Sequence, residues 1–152
     1  INMQGRVFMT PSDDPFAVAR NLVEKLKKET DFIFVDFHAE TTSEKQAFAW
    51  FFDGQISAVV GTHTHVQTND ARVLPQGTAF LADVGMTGPY DGIIGMRREN
   101  VIERFLNQMP TRFEVDESGR QTLSGCLIDL TDDGTAKKIQ TIQINADHPF
   151  ED

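Results

Sequence analysis

Apolar residues along the first third of the chain alternate between two spacings, and the alternation predicts its elements. The opening "INMQGRVFM" reads as a strand already under way, and "TPSDDPF" as a turn. Asp14 followed by Pro15 is a helix start, an acceptor at the N-cap with proline in the first turn. Phe16, Ala19, Leu22, Val23 and Leu26 then recur at helical spacing, predicting a helix to about Glu29 whose "EKLKKE" end is a solvated face. "DFIFVDF" has almost no polar relief, which predicts a strand covered on both faces and followed at once by His38. "TTSEKQAFAWFF" predicts a short helix with a capping box from Thr41 to Glu44, closed by Gly54. Its Phe48, Trp50, Phe51 and Phe52 read as packing residues, and "ISAVV" as a second buried strand ending at Gly61.

A strand, a helix and a strand within about 30 residues make a crossover unit, which sets its strands parallel. Both strands then end on one edge of the sheet. Sites in open α/β sheets form at that carboxyl edge, and His38, His63 and His65 all fall there. Farther on, "VLPQGTAFLADVG" predicts a hairpin or strand pair. "VGMTGPYDGIIGM" is a glycine-punctuated loop that fits neither a phosphate-cradling loop nor a dinucleotide fingerprint. A helix near Arg97 to Gln108 carries Val101, Ile102, Phe105 and Leu106 on one face. The last third holds three strand-like runs parted by "ESG" and "DDG", turn chemistry that favours antiparallel hairpins. The expected architecture is therefore α/β: a mixed sheet with parallel βαβ units, followed by an antiparallel meander. No linker, repeat or low-complexity tract divides residues 1–152.

Composition narrows the chemistry. Against 14 Lys and Arg stand 23 Asp and Glu, for a net charge of -9. Such a surface repels polyanions and disfavours general nucleic-acid binding, while a local cationic site can still hold one small phosphate. No apolar run approaches the roughly 20 residues that cross a bilayer. Cys126 is the single cysteine, so no internal disulfide forms, which fits a reducing, cytoplasmic setting. Its place in "TLSGCLIDL" reads as a small apolar filler. His148, in the tail, reads as a surface residue.

The three remaining histidines carry the functional signal. In "SAVVGTHTHVQT", His63 and His65 are spaced i, i+2, and alternate residues of an extended segment project to one side. Imidazoles that meet at one point suit a metal ion. Thiolates for a structural zinc site are missing, so imidazole with oxygen ligands points to iron, manganese or zinc with open positions. Asp36, Glu40 and Asp83 lie near the same edge as outer partners able to orient the rings. A serine-hydrolase elbow is not present.

"VDFHAETTSEKQA", "AVVGTHTHVQTND", "LPQGTAFLADVGMTGPYDGIIGM" and "SGCLIDL" together resemble the bacterial YmdB-like branch of the calcineurin-like metallophosphoesterases, described as 2',3'-cyclic-nucleotide 2'-phosphodiesterases. The similarity runs from "NMQGR" to "DHPFE". Thr62, between Gly61 and His63, is shared with that branch rather than with the wider superfamily. The resemblance implies a four-layer αββα sandwich and a dinuclear centre of divalent ions (Fe, Mn, Zn or Mg) that polarises a phosphodiester such as a cyclic nucleotide. It implies His38 and His63 on one ion and His65 on the other. Thr41, Thr64 and Tyr90 are expected near the substrate from their positions.

Members of the branch begin with a segment supplying an aspartate, a bridging glutamate and an asparagine as ligands, together with the catalytic histidine. Nothing here matches that segment. The chain is thus expected to be the C-terminal portion of one such domain, inactive alone, and to self-associate as a homo-oligomer. The rivals are a non-catalytic metal-binding or interaction module and a mononuclear three-histidine hydrolase complete in itself.

Overall fold

Val35, Phe37, Val59 and Phe80 are fully buried side chains at the centre of a five-stranded sheet. A computed structural model describes residues 1–150 of the 152. The sheet comprises β1 (Asn2–Gln4), β2 (Phe34–His38), β3 (Ala58–Thr62), β4 (Arg72–Val73) and β5 (Ala79–Leu81) in the order β1-β2-β3-β5-β4. All neighbours are parallel except the β4–β5 pair, which is antiparallel as the "LPQGT" turn predicts. Helices α1 (Pro15–Leu26) and α2 (Thr42–Phe51) cover one face with Ala19, Val23, Phe48 and Ala49, joined by Phe52 just past the end of α2. Phe48 stacks on Phe37 with ring centroids 4.3 Å apart.

The other face receives a second, antiparallel sheet. It consists of β7 (Gln121–Leu130), β8 (Ala136–Ile144) and the short β6 (Gly88–Pro89). Ala136 and Ile139 of β8, with Cys126, Ile128 and Leu130 of β7, close over Ala58, Ala79 and Leu81. Burial raises the Cys126 thiol pKa, in keeping with its role as filler. The described residues thus form three layers, helix, sheet and sheet. Leu123 and Leu127, on the outer side of β7, remain exposed.

Several elements differ from the sequence expectation, each for a local reason. The opening strand stops at Gln4, because the Glu44 carboxylate accepts the Arg6 and Val7 amides and turns the chain, leaving Phe8 exposed with φ 60°. The same contact undoes half of the capping box: Thr41 Oγ1 accepts the Glu44 amide, but Glu44 reaches to the β1 turn instead of back to Thr41. β2 is covered on one face only, with Phe32 and Phe34 half exposed beside Ile128 and Leu130. On α2 the aromatic residues divide: Phe48 and Phe52 are buried, while Trp50 and Phe51 stay half exposed.

The third strand of the meander comes from the glycine-rich loop. Gly88–Pro89 pairs with Gln121–Thr122 and occupies the edge that a hairpin from "TRFEV" would need. That run makes a single bridge, Met96 with Val115, outside the sheet. Helix α3 (Arg98–Asn107) buries only Val101 of its expected apolar face; Phe105 and Leu106 are exposed. His148 is exposed, as expected. Among the described residues no helix is long and apolar enough to cross a membrane.

Candidate metal centre

His38 is the last residue of β2, and its backbone partner in parallel register is Thr62, the last residue of β3. The strand edge therefore sets His38 beside Thr62 and brings the next residue, His63, across to it. His38 Nε2 and His63 Nδ1 lie 3.1 Å apart, their rings almost perpendicular. Each ring is held from its far side. Thr62 Oγ1 donates its one proton to Asp36 Oδ1 at 2.8 Å, so it accepts from His38 Nδ1–H at 3.0 Å. Asn2 secures the other Asp36 oxygen at 2.8 Å. His63 donates Nε2–H to the Glu40 carboxylate at 2.8 Å.

In the neutral form of each ring these partners select one tautomer, which leaves His38 Nε2 and His63 Nδ1 as bare lone pairs aimed at each other. Two acceptors at that distance repel unless a cation or proton lies between them. Two ligands on one tetrahedral zinc-like ion sit about 3.3 Å apart. The pair therefore fits two corners of a metal site, with outer hydrogen bonds of the kind that orient metal-binding imidazoles.

His63 and His65 do not alternate along an extended strand. β3 ends at Thr62, and His63 and His65 take left-handed backbone with φ 109° and 66°, so strand alternation no longer applies. His65 donates Nδ1–H to the Ile94 carbonyl at 3.0 Å, which leaves its Nε2 bare. Among the described residues no three His, Cys, Asp or Glu side chains form a group able to hold a metal ion. This chain presents two converging imidazoles and a third held separately by the Ile94 carbonyl.

His65 instead borders a cavity of about 220 Å³ with Met86, Tyr90, Thr122, Ser124 and Gln143. Tyr90 carries the Arg120 guanidinium 5.1 Å over its ring, and Arg120 is locked to Asp91 and Asp147. Thr41 caps α2 beside Glu40, and the Thr64 amide donates to Asp83 Oδ2 at 2.9 Å. Of the three expected outer partners, Glu40 bonds a histidine directly, Asp36 acts through Thr62, and Asp83 grips the backbone between the histidines.

One residue of the site region belongs to no metal-ligand motif. Lys45 is fully buried and paired with Asp83 at 2.9 Å, side chains 0% and 1% exposed. Its position carried a signal: residues 45, 48, 49 and 52 share one helical stripe, and a lysine among phenylalanines and alanine needs an anion. Burial works against the Asp83 charge, yet Lys45 and the Gly85 and Thr64 amides together hold its carboxyl below the usual carboxylate range.

The chain matches the family model of the YmdB-like proteins over residues 1–142. It belongs to that family. This YmdB-like chain is 60% identical over 152 residues to the 2',3'-cyclic-nucleotide 2'-phosphodiesterase of Bacillus subtilis, a match spanning 99% of the chain and 57% of that relative. To a putative phosphatase/phosphodiesterase of Mycoplasma pneumoniae it is 44% identical over 139 residues, covering 90% and 48%. Its fold is similar to that of a hypothetical protein from Thermus thermophilus, with TM-score 0.88, 41% identity and coverage of 95% and 56%. A novel phosphatase from Mycoplasma pneumoniae superposes with TM-score 0.85 at 38% identity, covering 95% and 52%. The YmdB-like chain spans about half the length of the curated relatives it matches.

Proposed function

We propose that this chain supplies the histidine half of a dinuclear metal site in a YmdB-like phosphodiesterase acting on 2',3'-cyclic nucleotides. The observation that carries the proposal is the facing pair of bare nitrogens, His38 Nε2 and His63 Nδ1, each fixed by a donor bond on its other ring atom. His65, whose Nε2 is likewise bare, serves the second ion. The resemblance assigns the remaining ligands, two carboxylates and an amide, and the catalytic histidine to a segment with no match in these 152 residues, which in this reading bind metal weakly by themselves. The name carried by the Bacillus relative supports the substrate class.

The divalent ions, when bound, polarise the phosphodiester and acidify the attacking water. Water adds at phosphorus, the ribose 2' oxygen leaves with a proton, and a nucleoside 3'-phosphate results. The chain's own part is to hold its imidazoles in the ligating tautomer. Asp36, through Thr62, and Glu40 perform that task, so no proton must move before a cation binds. The nucleoside would occupy the cavity beside His65, against Tyr90. Thr41 and Thr64 do not line that cavity and enter this reading only by their places beside Glu40 and between the two histidines.

The test is hydrolysis of 2',3'-cyclic AMP by the full-length protein with Mn2+, beside its His63→Ala variant and a chelated sample. Loss of turnover in both supports the proposal. Equal rates overturn it, and a metal-free protein that keeps a protein partner points to the interaction module instead.

A further inference from the structure

His63 and His65 both occupy backbone conformations that residues with a Cβ avoid, at φ 109° and 66°, with only Thr64 between them. Something must hold that turn. The Thr64 amide donates to Asp83 Oδ2 at 2.9 Å, and the same oxygen accepts Lys45 Nζ at 2.9 Å. Asp83 Oδ1 takes the Gly85 amide at 3.0 Å. The Asp83 backbone grips the far end of the loop: the Thr68 amide donates to its carbonyl at 3.0 Å, and its own amide donates to Thr68 Oγ1 at 2.9 Å. One residue thus pins both ends of the segment from Thr64 to Thr68. Its charge partner arrives from α2, 38 positions earlier in the chain.

The route of Lys45 is prepared as well. Its stem crosses β3 at Gly61, where a Cβ would run into the Ala82 carbonyl oxygen and come within 2.9 Å of Lys45 Cδ. Two charges so deeply buried rarely stabilise a fold more than apolar residues of the same volume would. An apolar pair would fill this space and leave the Thr64 amide with no acceptor. The carboxylate is the acceptor, and the ammonium is what lets a carboxylate remain there.

We propose that Lys45 and Asp83 are a positioning pair for the metal centre, enforcing through the Thr64 amide the turn that aims His63 and His65. The assignment rests on the phosphodiesterase reading above, and it concerns residues that touch neither metal nor substrate.

Two double variants of the full-length protein separate positioning from mere packing. Lys45→Met with Asp83→Asn keeps an amide oxygen for Thr64; Lys45→Met with Asp83→Leu removes it. Mn2+ affinity, followed by the loss of the free-ion electron paramagnetic resonance signal, is read beside the melting temperature and the kcat and KM for bis(p-nitrophenyl) phosphate. The asparagine version is expected to keep Mn2+ affinity within about threefold of wild type. The leucine version is expected to melt near it yet lose about 10- to 100-fold in Mn2+ affinity, with kcat falling more than KM.

A folded leucine version that binds Mn2+ as wild type does overturns the assignment, as does an asparagine version that loses as much as the leucine one. Should the leucine version fail to fold, hydrogen exchange in the wild type decides: the Thr64 amide is expected to be protected at least about 100-fold, and exchange at an open-loop rate overturns the pair's role. Wild-type protein that binds no Mn2+ and cleaves no diester overturns the phosphodiesterase reading instead, an outcome distinct from any difference between the variants.

Discussion

His38 Nε2 faces His63 Nδ1 across 3.1 Å, and neither atom carries a proton that the other can accept when both rings are neutral. Glu40 maintains half of that arrangement by taking the His63 Nε2–H. Exchanging Glu40 for Gln keeps an oxygen in place but removes the charge, and allows the ring to turn. Glu40→Gln is expected to weaken Mn2+ binding by the full-length protein about tenfold, measured by titration calorimetry. Undiminished affinity would show that His63 is oriented by other means.

Gly61 has no room for a methyl group. The Ala82 backbone and the Lys45 stem close on it, the backbone more tightly. Gly61→Ala is expected to cost about 3 kcal/mol, the upper end for overpacking, in urea denaturation. The Ala82 backbone, whose carbonyl oxygen a Cβ would run into, must shift, and the Lys45 stem is displaced with it.

Removing one partner of the buried pair strands the other. Lys45→Met is expected to destabilise the protein by about 3–5 kcal/mol at pH 7. In the wild type the folded Asp83 carboxyl lies below its ordinary value, so its contribution is present above about pH 4 and is lost as pH falls through the lowered native value. In the variant the buried, unpartnered carboxylate gains a proton more easily when folded than when unfolded. Its stability therefore recovers on acidification, and the gap between the two proteins should narrow from about pH 7 to about pH 4 in denaturant midpoints.

Asp133, in the β7–β8 turn, accepts from the Thr131 and Thr135 hydroxyls and the Thr135 amide, which lower its carboxyl pKa to about 2. A carboxyl so depressed favours the folded turn above about pH 4, and that preference fades as pH falls toward about 2. Carbon-detected NMR titration should place the Asp133 midpoint at about 2. Thr131→Val should move it upward, toward the ordinary aspartate value, because the first of its donors is gone.

Arg120 shapes the cavity wall without entering the metal site. It is bound to Asp91 and Asp147 and lies over Tyr90. Arg120→Ala frees the Tyr90 ring and is expected to raise KM for 2',3'-cyclic AMP roughly threefold to tenfold while kcat changes little, the pattern of lost uniform binding. A fall in kcat with KM unchanged would relocate the substrate away from this cavity.

Periodicity and turn chemistry suffice for the elements whose causes are local. Asp14 before Pro15 starts α1, the polar-free runs make β2 and β3, and the "DDG" turn joins β7 to β8. The misjudged pieces are those where a distant group competes for the backbone. Glu44 captures the Arg6 and Val7 amides and ends β1 early, and Gly88–Pro89 displaces the expected third meander strand. At the site, residue types and their common edge were legible, and the resemblance already set His38 with His63; the turn at His63 and His65 was not, because i, i+2 spacing speaks only for a segment that stays extended.

The sequence by itself determined that His38 ends one of two neighbouring parallel strands and His63 follows the end of the other, since a crossover helix leaves strand ends on one edge. It also determined family membership through long matching blocks. Only the tertiary structure decided that His63 and His65 leave the extended backbone, and that a lysine on the buried stripe of α2 meets Asp83. Hydrogen-bond partners and burial of charge depend on groups far apart in the chain, and no local pattern encodes the angle at which they arrive.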